Sequence, residues 1–339
     1  MTRHTTSPAT QTTRLGASGP HVFPIALGCM GMSGMYGPTD ERECIATIHQ
    51  ALERGVNLLD TGDFYGQGDN EQLVGRALRA ASVARDKVLL SVKFGALRAP
   101  DGSFTGYDGR PNSVKNFLAY SLRRLGVDHI DVYRPSRLDP SVPIEDTVGA
   151  IADMVRAGYV RYVGLSEVGA ATIRRAHAVH PIVDLQIEYS LISRSPEAHI
   201  MPVLDELGIA MTAYGVLSRG LLTGATTVAP GDFRGNLPRF AAENRAQNQR
   251  LADALGALAA EKRVSPAQLC IAWARSRGPS IVPLLGSRTR QQLDIALGAL
   301  EVTLAEEELA ALERAIPAEA VAGARYPEFL MSMLDSERA

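Results

Sequence analysis

Short apolar runs alternate with longer amphipathic stretches along most of the chain. The apolar runs are rich in β-branched residues, which is typical of strands that are buried on both faces of a parallel sheet. They predict strands at 24–27, 56–60, 88–93, 130–133, 160–165, 183–187, 209–213 and 280–283. The amphipathic stretches predict helices at 40–54, 70–82, 111–125, 144–156, 169–178, 197–206, 245–276 with a break near Pro266, and 288–299.

Residues with capping side chains support the predicted helix starts. Asp40, Asn70 and Ser265 stand where a side-chain oxygen can accept a hydrogen bond from the first turn, and Pro266 suits a first helical position. Glycine follows four of the helices just before the next strand, as is common at helix C-termini; these are Gly55, Gly126, Gly158 and Gly208. Helices and strands are therefore expected to alternate through short connections.

Eight strand–helix units in this order predict a single α/β domain, a (β/α)8 TIM barrel. The runner-up is a doubly wound sheet, but no GxGxxG follows the first strand, and GCMGMSG at 28–34 has a different spacing. Residues 14–23 predict a β-hairpin before the barrel, and a last helix is predicted at 304–315. The expected organisation is a flexible segment 1–13, one barrel domain 14–316, and a C-terminal tail 317–339.

Composition narrows the class of protein. The 339 residues carry 35 Lys and Arg against 37 Asp and Glu, a net charge of −2, so nothing favours nucleic acid as a partner. The three cysteines are far apart without a CxxC pair, which argues against a disulfide framework, and we expect no metal site. Neither a secretory signal nor an apolar run of about 18 residues is present, so we expect a cytoplasmic protein without membrane association.

The C-terminal ends of the strands hold the active site in a barrel of this type. Strand 56–60 ends at Asp60, Tyr65 follows it closely, and strand 88–93 ends at Lys93. A lysine that closes an apolar strand must find a counter-ion or lose its proton, and Asp60 on the neighbouring strand is the natural partner. An ammonium group beside Tyr65 would lower the pKa of the phenol and make a proton-transfer site. The alternative is a purely structural Asp–Lys pair beneath a tyrosine.

A second set of polar residues lies at the ends of later strands. Ser166 follows strand 160–165, Gln186 lies near the end of 183–187, and Tyr214 follows 209–213. Arg288 and Arg290 stand at a predicted helix start after strand 280–283, where barrels often bind phosphate. By themselves these residues indicate a phosphorylated ligand with a flat ring. The alternative is that both arginines are only solvated.

Taken in order, the motifs resemble those of the aldo-keto reductase family, over a span from about Arg14 to Arg314. They are LGCMGM (27–32), LLDTGDFYG (58–66), NEQLVGRAL (70–78), LLSVK (89–93), IDVY (130–133), RLDP (137–140), GLSEV (164–168), DLQIEYS (184–190), AYGVLSRGLLTG (213–224) and IVPLLGSR (281–288). Each motif is weak alone, whereas the ordered set is specific. The resemblance implies a barrel enzyme that transfers a hydride from NADPH to an aldehyde or ketone.

The resemblance also implies roles for individual residues. Tyr65 would protonate the carbonyl oxygen, Lys93 would lower the pKa of Tyr65, and Asp60 would hold Lys93. Gln186 and Ser166 would bind the carboxamide of the cofactor, and Tyr214 would stack on its nicotinamide. The other cofactor-binding residues would be Gly215, Leu217, Ser218, Arg219, Gly286, Ser287, Arg288 and Gln292, with Arg288 and Arg290 favouring NADPH over NADH.

The chain departs from the family at its fourth catalytic position. The usual YYLHR segment is YRPSR at 133–137, so Ser136 stands in place of a histidine. A serine cannot be cationic, although it can donate a hydrogen bond. Arg134 and Arg137 are the candidates for supplying the missing charge, and with Arg219 they would favour an anionic substrate if they lie near the mouth.

Two further departures concern the cofactor. Glu167 replaces the usual Asn after Ser166, and Ile295 and Ala296 replace an adenine-binding Glu–Asn pair. The long segment 224–244 is expected to fold over the cofactor, with Phe233 or Phe240 beside the substrate, and the tail with Tyr326 and Phe329 either covers the pocket or packs on the barrel.

Three functions remain open at this stage. The first is an NADPH-dependent reductase acting on a small-molecule carbonyl substrate. The second, which the missing histidine favours, is a cofactor-sensing regulatory subunit with weak turnover. The third is an alcohol or sugar dehydrogenase that works in the oxidative direction with the same residues. The sequence neither indicates nor excludes an oligomer.

Overall fold

The computed structural model describes residues 12–229 and 231–338, so the predicted flexible segment lies outside the described residues except for its last two positions. The strands are β1 Thr13–Arg14, β2 His21–Val22, β3 Ala26–Gly28, β4 Leu58–Gly62, β5 Leu89–Phe94, β6 Ala96–Arg98, β7 Phe104–Tyr107, β8 Ile130–Pro135, β9 Val160–Ser166, β10 Ile182–Glu188, β11 Ala210–Tyr214 and β12 Ile281–Gly286.

The α-helices surround these strands in sequence. They are α1 Glu41–Glu53, α2 Asp69–Ala80, α3 Pro111–Leu125, α4 Ile144–Arg156, α5 Ala170–Val179, α6 Pro196–His199, α7 Met201–Leu207, α8 Ala242–Lys262, α9 Pro266–Ser276, α10 Arg290–Gly298, α11 Glu306–Ala315 and α12 Glu328–Met331. Within the described ranges, none of these helices has the length and apolar character that a bilayer crossing requires.

Eight parallel strands close into a barrel in the order β10-β11-β12-β3-β4-β5-β8-β9. Each strand therefore lies beside the strands of the preceding and following β–α units, which confirms the (β/α)8 barrel and excludes the doubly wound sheet. Every residue of β5, β8 and β10 is buried, because side chains inside the barrel cover one face of these strands and helices cover the other.

Two helices have the predicted bounds, and capping side chains mark the predicted starts of two others. Helices α3 and α4 begin and end where they were predicted. The Asp40 carboxylate accepts hydrogen bonds from two amides of α1, and Ser265 forms a capping box with Gln268 that separates α8 from α9. The predicted helix 197–206 is two helices, since Pro202 in the first turn of α7 has no N–H to continue the α6 ladder.

One predicted cap is wrong. Asn70 lies inside α2, which begins at Asp69, and its side chain is fully buried. Its amide donates to the carbonyl of Cys29 at 2.8 Å and its carbonyl oxygen accepts from Thr61 at 2.7 Å. The residue therefore ties α2 to the ends of the first two barrel strands rather than capping a helix.

Two hairpins flank the barrel. The predicted one, β1–β2, is antiparallel and carries Leu15 into the apolar cluster at the N-terminal end of the barrel. The other, β6–β7, follows β5 at the C-terminal end and was not predicted. Its signal was the Asp101–Gly102 turn between two short stretches that contain β-formers.

The barrel interior is layered. Leu58, Leu89 and Val132 belong to a buried apolar cluster inside the barrel. Two residues further along β5 and β8, Ser91 and Arg134 are also buried. Residues two apart on a strand face the same way, so a polar layer lies between the apolar cluster and the C-terminal mouth.

Candidate active site

Asp60 and Lys93 form an ion pair at the mouth of the barrel, and both are almost completely buried. Strands β4 and β5 pair with Asp60 opposite Ser91, which brings the two strand ends together. The Asp60 carboxylate also accepts hydrogen bonds from Ser91 Oγ at 2.7 Å and Gln186 Nε2 at 2.8 Å. The partnership predicted from the strand order is confirmed, and three donors hold the carboxylate in place.

Tyr65 stands directly above this pair. The Lys93 Nζ atom lies 5.1 Å from the centroid of the Tyr65 ring, which is buried and packs edge-on against Phe64. Gly66 and Gln67, immediately after it, both have positive φ angles and turn the chain sharply into α2. The turn fixes the tyrosine over the mouth, as the spacing from Asp60 predicted.

The pKa of Tyr65 differs from the expectation. Burial and the Asp60 carboxylate raise the pKa of the phenol well above its ordinary value, and Arg137 is the cation that opposes them. Lys93 is not among the largest influences on this pKa, and its ammonium group is paired with the Asp60 carboxylate. Burial in turn lowers the pKa of Lys93, with Arg134 adding to the effect and Asp60 opposing it. At neutral pH the phenol therefore remains a proton donor.

Arg134 is not at the mouth, so the expectation that it faces a substrate is wrong. Its side chain is fully buried in the barrel interior, where Nη2 donates to Ser91 Oγ at 3.0 Å and Nη1 lies 3.0 Å from Asp184 Oδ2. Gly164 leaves the space for this pair, because a Cβ there would lie 2.7 Å from Asp184 Oδ1. Arg134 therefore supports Ser91, and through it Asp60, from below.

Ser136 and Arg137 follow β8 at the mouth. The Ser136 hydroxyl is buried and has no hydrogen-bond partner within the described residues. The Arg137 guanidinium donates to the carbonyl oxygen of Ser136 at 2.6 Å. Of the two candidate arginines, Arg137 is the one at the mouth, where its charge acts on Tyr65.

Glu167 is held by the C-terminal tail, which the sequence did not reveal. The carboxylate is fully buried and accepts hydrogen bonds from Arg325 Nη1 at 3.1 Å and Nη2 at 3.0 Å. The hydroxyl groups of Tyr214 and Ser336 each donate to it at 2.6 Å. Burial alone would raise the pKa of Glu167, but Arg325 and Arg137 hold it well below the usual range. The only signal in the sequence was a glutamate where the family has a neutral residue.

The tail covers part of the mouth. The Tyr326 hydroxyl accepts a hydrogen bond from Arg219 Nη2 at 2.7 Å and lies 3.1 Å from the Tyr214 hydroxyl. Glu188 anchors the same region through Arg219, Arg239 and Arg325, at 3.0, 3.3 and 3.6 Å. Of the two aromatic tail residues singled out in the sequence, Tyr326 reaches the site, whereas Phe329 is 58% exposed and does not.

The segment after β11 has an unusual backbone. Gly215, Ser218, Arg219 and Gly220 all have positive φ angles, which cost a non-glycine residue roughly 1 kcal/mol or more. Leu217 lies partly buried within this turn. Strained turns of this kind cluster at ligand sites, and this one directly follows the predicted nicotinamide position at Tyr214.

The two arginines after β12 have different surroundings. Arg290 forms an exposed ion pair with Glu43, whose carboxylate accepts hydrogen bonds from its backbone N–H and its guanidinium. Arg288 donates one guanidinium hydrogen bond to the Tyr36 carbonyl at 3.0 Å, and its N–H donates to Gln292 Oε1 at 3.0 Å. Helix α10 begins with Thr289 as its cap, so Arg288 precedes the helix.

The segment 224–244 crosses towards the first barrel strand. The N–H of Phe233 donates to the carbonyl of Met35 at 3.2 Å, and the guanidinium of Arg234 lies over the Tyr36 ring. Phe240 is buried in the main hydrophobic core, which removes it as a residue that borders a substrate. Phe233 is only partly buried and packs against that core.

The residues present fit a nicotinamide cofactor. Ser166 carries a buried hydroxyl without a partner in the described residues, and buried polar groups of this kind usually have one. Gly286 is exposed, and a side chain there would meet nothing within 4 Å, which leaves open space beside Ser287 and Arg288. No group of three or more His, Cys, Asp or Glu within residues 12–229 and 231–338 is arranged to hold a metal ion.

Comparisons with known proteins agree with this arrangement. Residues 24–317 match the sequence model of the aldo/keto reductase family. The chain is 41% identical over 322 residues to the probable aldo-keto reductase 1 of Glycine max, which covers 93% of this chain and 92% of that relative.

Two solved structures are similar over nearly the whole chain. The glycerol dehydrogenase AKR11B4 from Gluconobacter oxydans has a TM-score of 0.80 at 26% identity and covers 97% of both chains. The holo form of the aldo-keto reductase AKR11C1 from Bacillus halodurans has a TM-score of 0.76 at 26% identity, covering 94% of this chain and 98% of that one.

Proposed function

Because the chain belongs to the aldo/keto reductase family, we propose that it reduces an aldehyde or ketone to an alcohol with NADPH, and that Tyr65 is the general acid. Membership of the family makes it a carbonyl oxidoreductase that uses a nicotinamide cofactor. The observation that carries the finer proposal is the buried Asp60–Lys93 pair beneath the ring of Tyr65.

The site residues have two kinds of role: Tyr65 donates a proton, and the others hold Lys93 and the cofactor in place. The Tyr65 phenol remains protonated at neutral pH and donates its proton to the carbonyl oxygen as the alcohol forms. Lys93 lies against the tyrosine ring, and Asp60 fixes the lysine. The bound cofactor supplies the hydride. Ser166, Gln186 and Tyr214 would hold the nicotinamide end of the cofactor, and Arg288 would hold the phosphate end.

A direct assay tests this function. The purified protein is incubated with NADPH and a panel of aldehydes and ketones, while the loss of NADPH absorbance and the formation of alcohol are followed. Turnover supports the proposal. Tight binding of NADPH with no turnover of any compound would instead favour a cofactor-sensing subunit.

The oxidative direction is the second candidate, since a structural relative of similar length is named a glycerol dehydrogenase. Tyr65 would then act as a base: its phenolate would accept the proton of the alcohol hydroxyl. Initial rates with alcohols and NADP+, measured beside the reductive rates at one pH, decide which direction is faster.

We expect Ser136→Ala to lower kcat/KM for carbonyl reduction by about 3- to 10-fold, the effect of one neutral hydrogen bond. The hydroxyl is buried, has no protein partner within the described residues and stands where the family has a histidine. Ser121→Ala, which removes an equally buried hydroxyl from α3, is the matched control and should leave the rate unchanged. Equal rates for Ser136→Ala and the wild type would show that the hydroxyl does not contact the substrate.

We expect Arg288→Ala to raise the dissociation constant of NADPH by about 10- to 100-fold, which is the range for a hydrogen bond to a charged group. The dissociation constant of NADH should change little, because NADH lacks the 2′-phosphate. Fluorescence titration of both cofactors measures the effect. Arg290→Ala is the control, since Glu43 already engages that guanidinium. Equal losses for NADPH and NADH would contradict the assignment of Arg288 to the phosphate.

A further inference from the structure

Arg137 is a cation at the mouth that has no carboxylate partner among the residues that the structure describes. Its guanidinium has five N–H donors, and the structure gives it one hydrogen bond, to the neighbouring Ser136 carbonyl at 2.6 Å. None of the ion pairs formed within residues 12–229 and 231–338 includes it. The side chain is partly buried, so water replaces the missing partners only in part.

The other arginines of the mouth are paired. Arg219, Arg239 and Arg325 share the buried carboxylates of Glu167 and Glu188, and Glu337 adds a further contact to Arg325. Four guanidinium groups therefore face three carboxylates, and Arg137 is the one left over. Because Arg137 keeps free N–H donors and no carboxylate of the described residues pairs with it, an anionic group supplied by a ligand would complete the set.

The position of Arg137 in the barrel separates it from the predicted phosphate site of the cofactor. Arg137 follows β8, whereas Arg288 follows β12, and these two strands are four places apart in the closed order of eight. The neighbours of β8 are β5, which carries Lys93, and β9, which carries Ser166. An anion at Arg137 would thus lie on the side of the barrel that holds the reacting carbonyl.

The charge of Arg137 acts on the residues that surround this space. It opposes the rise in the pKa of Tyr65, Tyr107 and Tyr214 that burial causes, and it helps to hold the pKa of Glu167 low. The guanidinium therefore shares one space with the hydroxyl of the proton donor and with the tyrosines of the mouth.

We propose that Arg137 binds an anionic group of the substrate, a carboxylate or a phosphate, and that the enzyme prefers carbonyl compounds that carry such a group. This inference rests on the proposed function of the same site. Charge-assisted hydrogen bonds from arginine to carboxylate or phosphate are strong and can be bidentate, which gives both affinity and orientation. The anion thereby positions the carbonyl group towards Tyr65.

The test compares an acid with its neutral ester in two proteins. The probes are 4-carboxybenzaldehyde and methyl 4-formylbenzoate, and the quantity is the acid-to-ester ratio of kcat/KM. We expect Arg137→Met to lower this ratio by about 10- to 100-fold relative to the wild type. Arg137→Lys, which keeps the charge, should restore part of it. Intrinsic reactivity cancels because the same two aldehydes are compared in every protein.

A second pair of probes distinguishes the two anions. Glyceraldehyde 3-phosphate and glyceraldehyde are compared in the same way, and the pair whose ratio falls further identifies the preferred group. Arg98→Met is the matched control, since Arg98 is an exposed cation on the neighbouring β6–β7 hairpin. An equal fall in Arg98→Met would show a general effect of net charge and would overturn the specific role of Arg137.

A binding measurement with compounds that cannot be reduced tests this inference separately from the proposed function. Calorimetric titration with benzoate and benzamide should show benzoate binding more tightly, and Arg137→Met should remove the difference. If benzoate binding depends on Arg137 but no carbonyl compound is reduced, the anion site stands and the proposed reductase function fails. If reduction proceeds and neither the ratios nor benzoate binding depends on Arg137, the inference fails and the function stands.

Discussion

Replacing Tyr65 with phenylalanine lowers kcat for carbonyl reduction by about 10²- to 10⁴-fold, the range that a positioned general acid contributes. The substitution removes only the hydroxyl. Its aromatic ring keeps the contacts with Lys93, 5.1 Å from the ring centroid, and with Phe64, 4.8 Å between centroids. The site therefore retains its shape and loses its proton donor.

Steady-state kinetics measure this loss, and NADPH binding by fluorescence titration shows whether the site is intact. Tyr133→Phe is the matched control, because Tyr133 is an equally buried tyrosine on β8 whose hydroxyl donates to the Val114 carbonyl outside the barrel. We expect it to keep the wild-type rate. Wild-type turnover in Tyr65→Phe would refute the role of the phenol, whatever the control does.

The second large effect is on stability. We expect Arg325→Met to lower the free energy of unfolding by up to about 3–5 kcal/mol, because removing one partner of a buried ion pair leaves the other charge uncompensated. Glu167 loses both guanidinium contacts, and Glu188 loses one of its three arginines. Denaturant unfolding gives the change, and limited proteolysis shows whether the tail has left the mouth.

Two observations distinguish this effect from a simple loss of packing. The double variant Arg325→Met/Glu167→Gln should recover much of the stability, since the side chain at position 167 is then neutral and needs no cationic partner.

The pH dependence of stability is the second observation. The pKa of Glu167 is lowered in the folded protein, so the ion pair contributes stability above the ordinary glutamate pKa of about 4.3, and this contribution is lost as the pH falls. Arg325→Met should therefore lose less of its stability on acidification than the wild type. Equal stability of the single variant and the wild type would show that the tail is not anchored here.

The aromatic and charged residues of the site could be predicted to different degrees. Lys93 and Asp60 were paired correctly, because chain order is spatial order in a parallel barrel and neighbouring strand ends must meet. The direction of the Tyr65 pKa could not be predicted, since it depends on how deeply the ring is buried and on the nearby Asp60 carboxylate. Arg134 and Arg137 differ by three positions, yet one enters the barrel interior and the other faces the mouth.

Ion pairs between residues that are far apart in the sequence could not be predicted for a related reason. Arg325 meets Glu167 across 158 residues, and Arg290 meets Glu43 across 247. No periodicity or spacing connects such positions, because their contact depends on where a tail or a loop is placed by the packing of everything between.

The sequence by itself determined the barrel, the strand ends that form its mouth and the presence of Asp60, Tyr65 and Lys93 there. Local hydrophobic period, capping side chains and glycines suffice for that, since they act within one element or between adjacent ones. Only the tertiary structure decided which charges are paired. Ion pairs are short-range contacts between elements, and the same arginine is a structural residue or a ligand-binding one according to whether a carboxylate of the protein has reached it first.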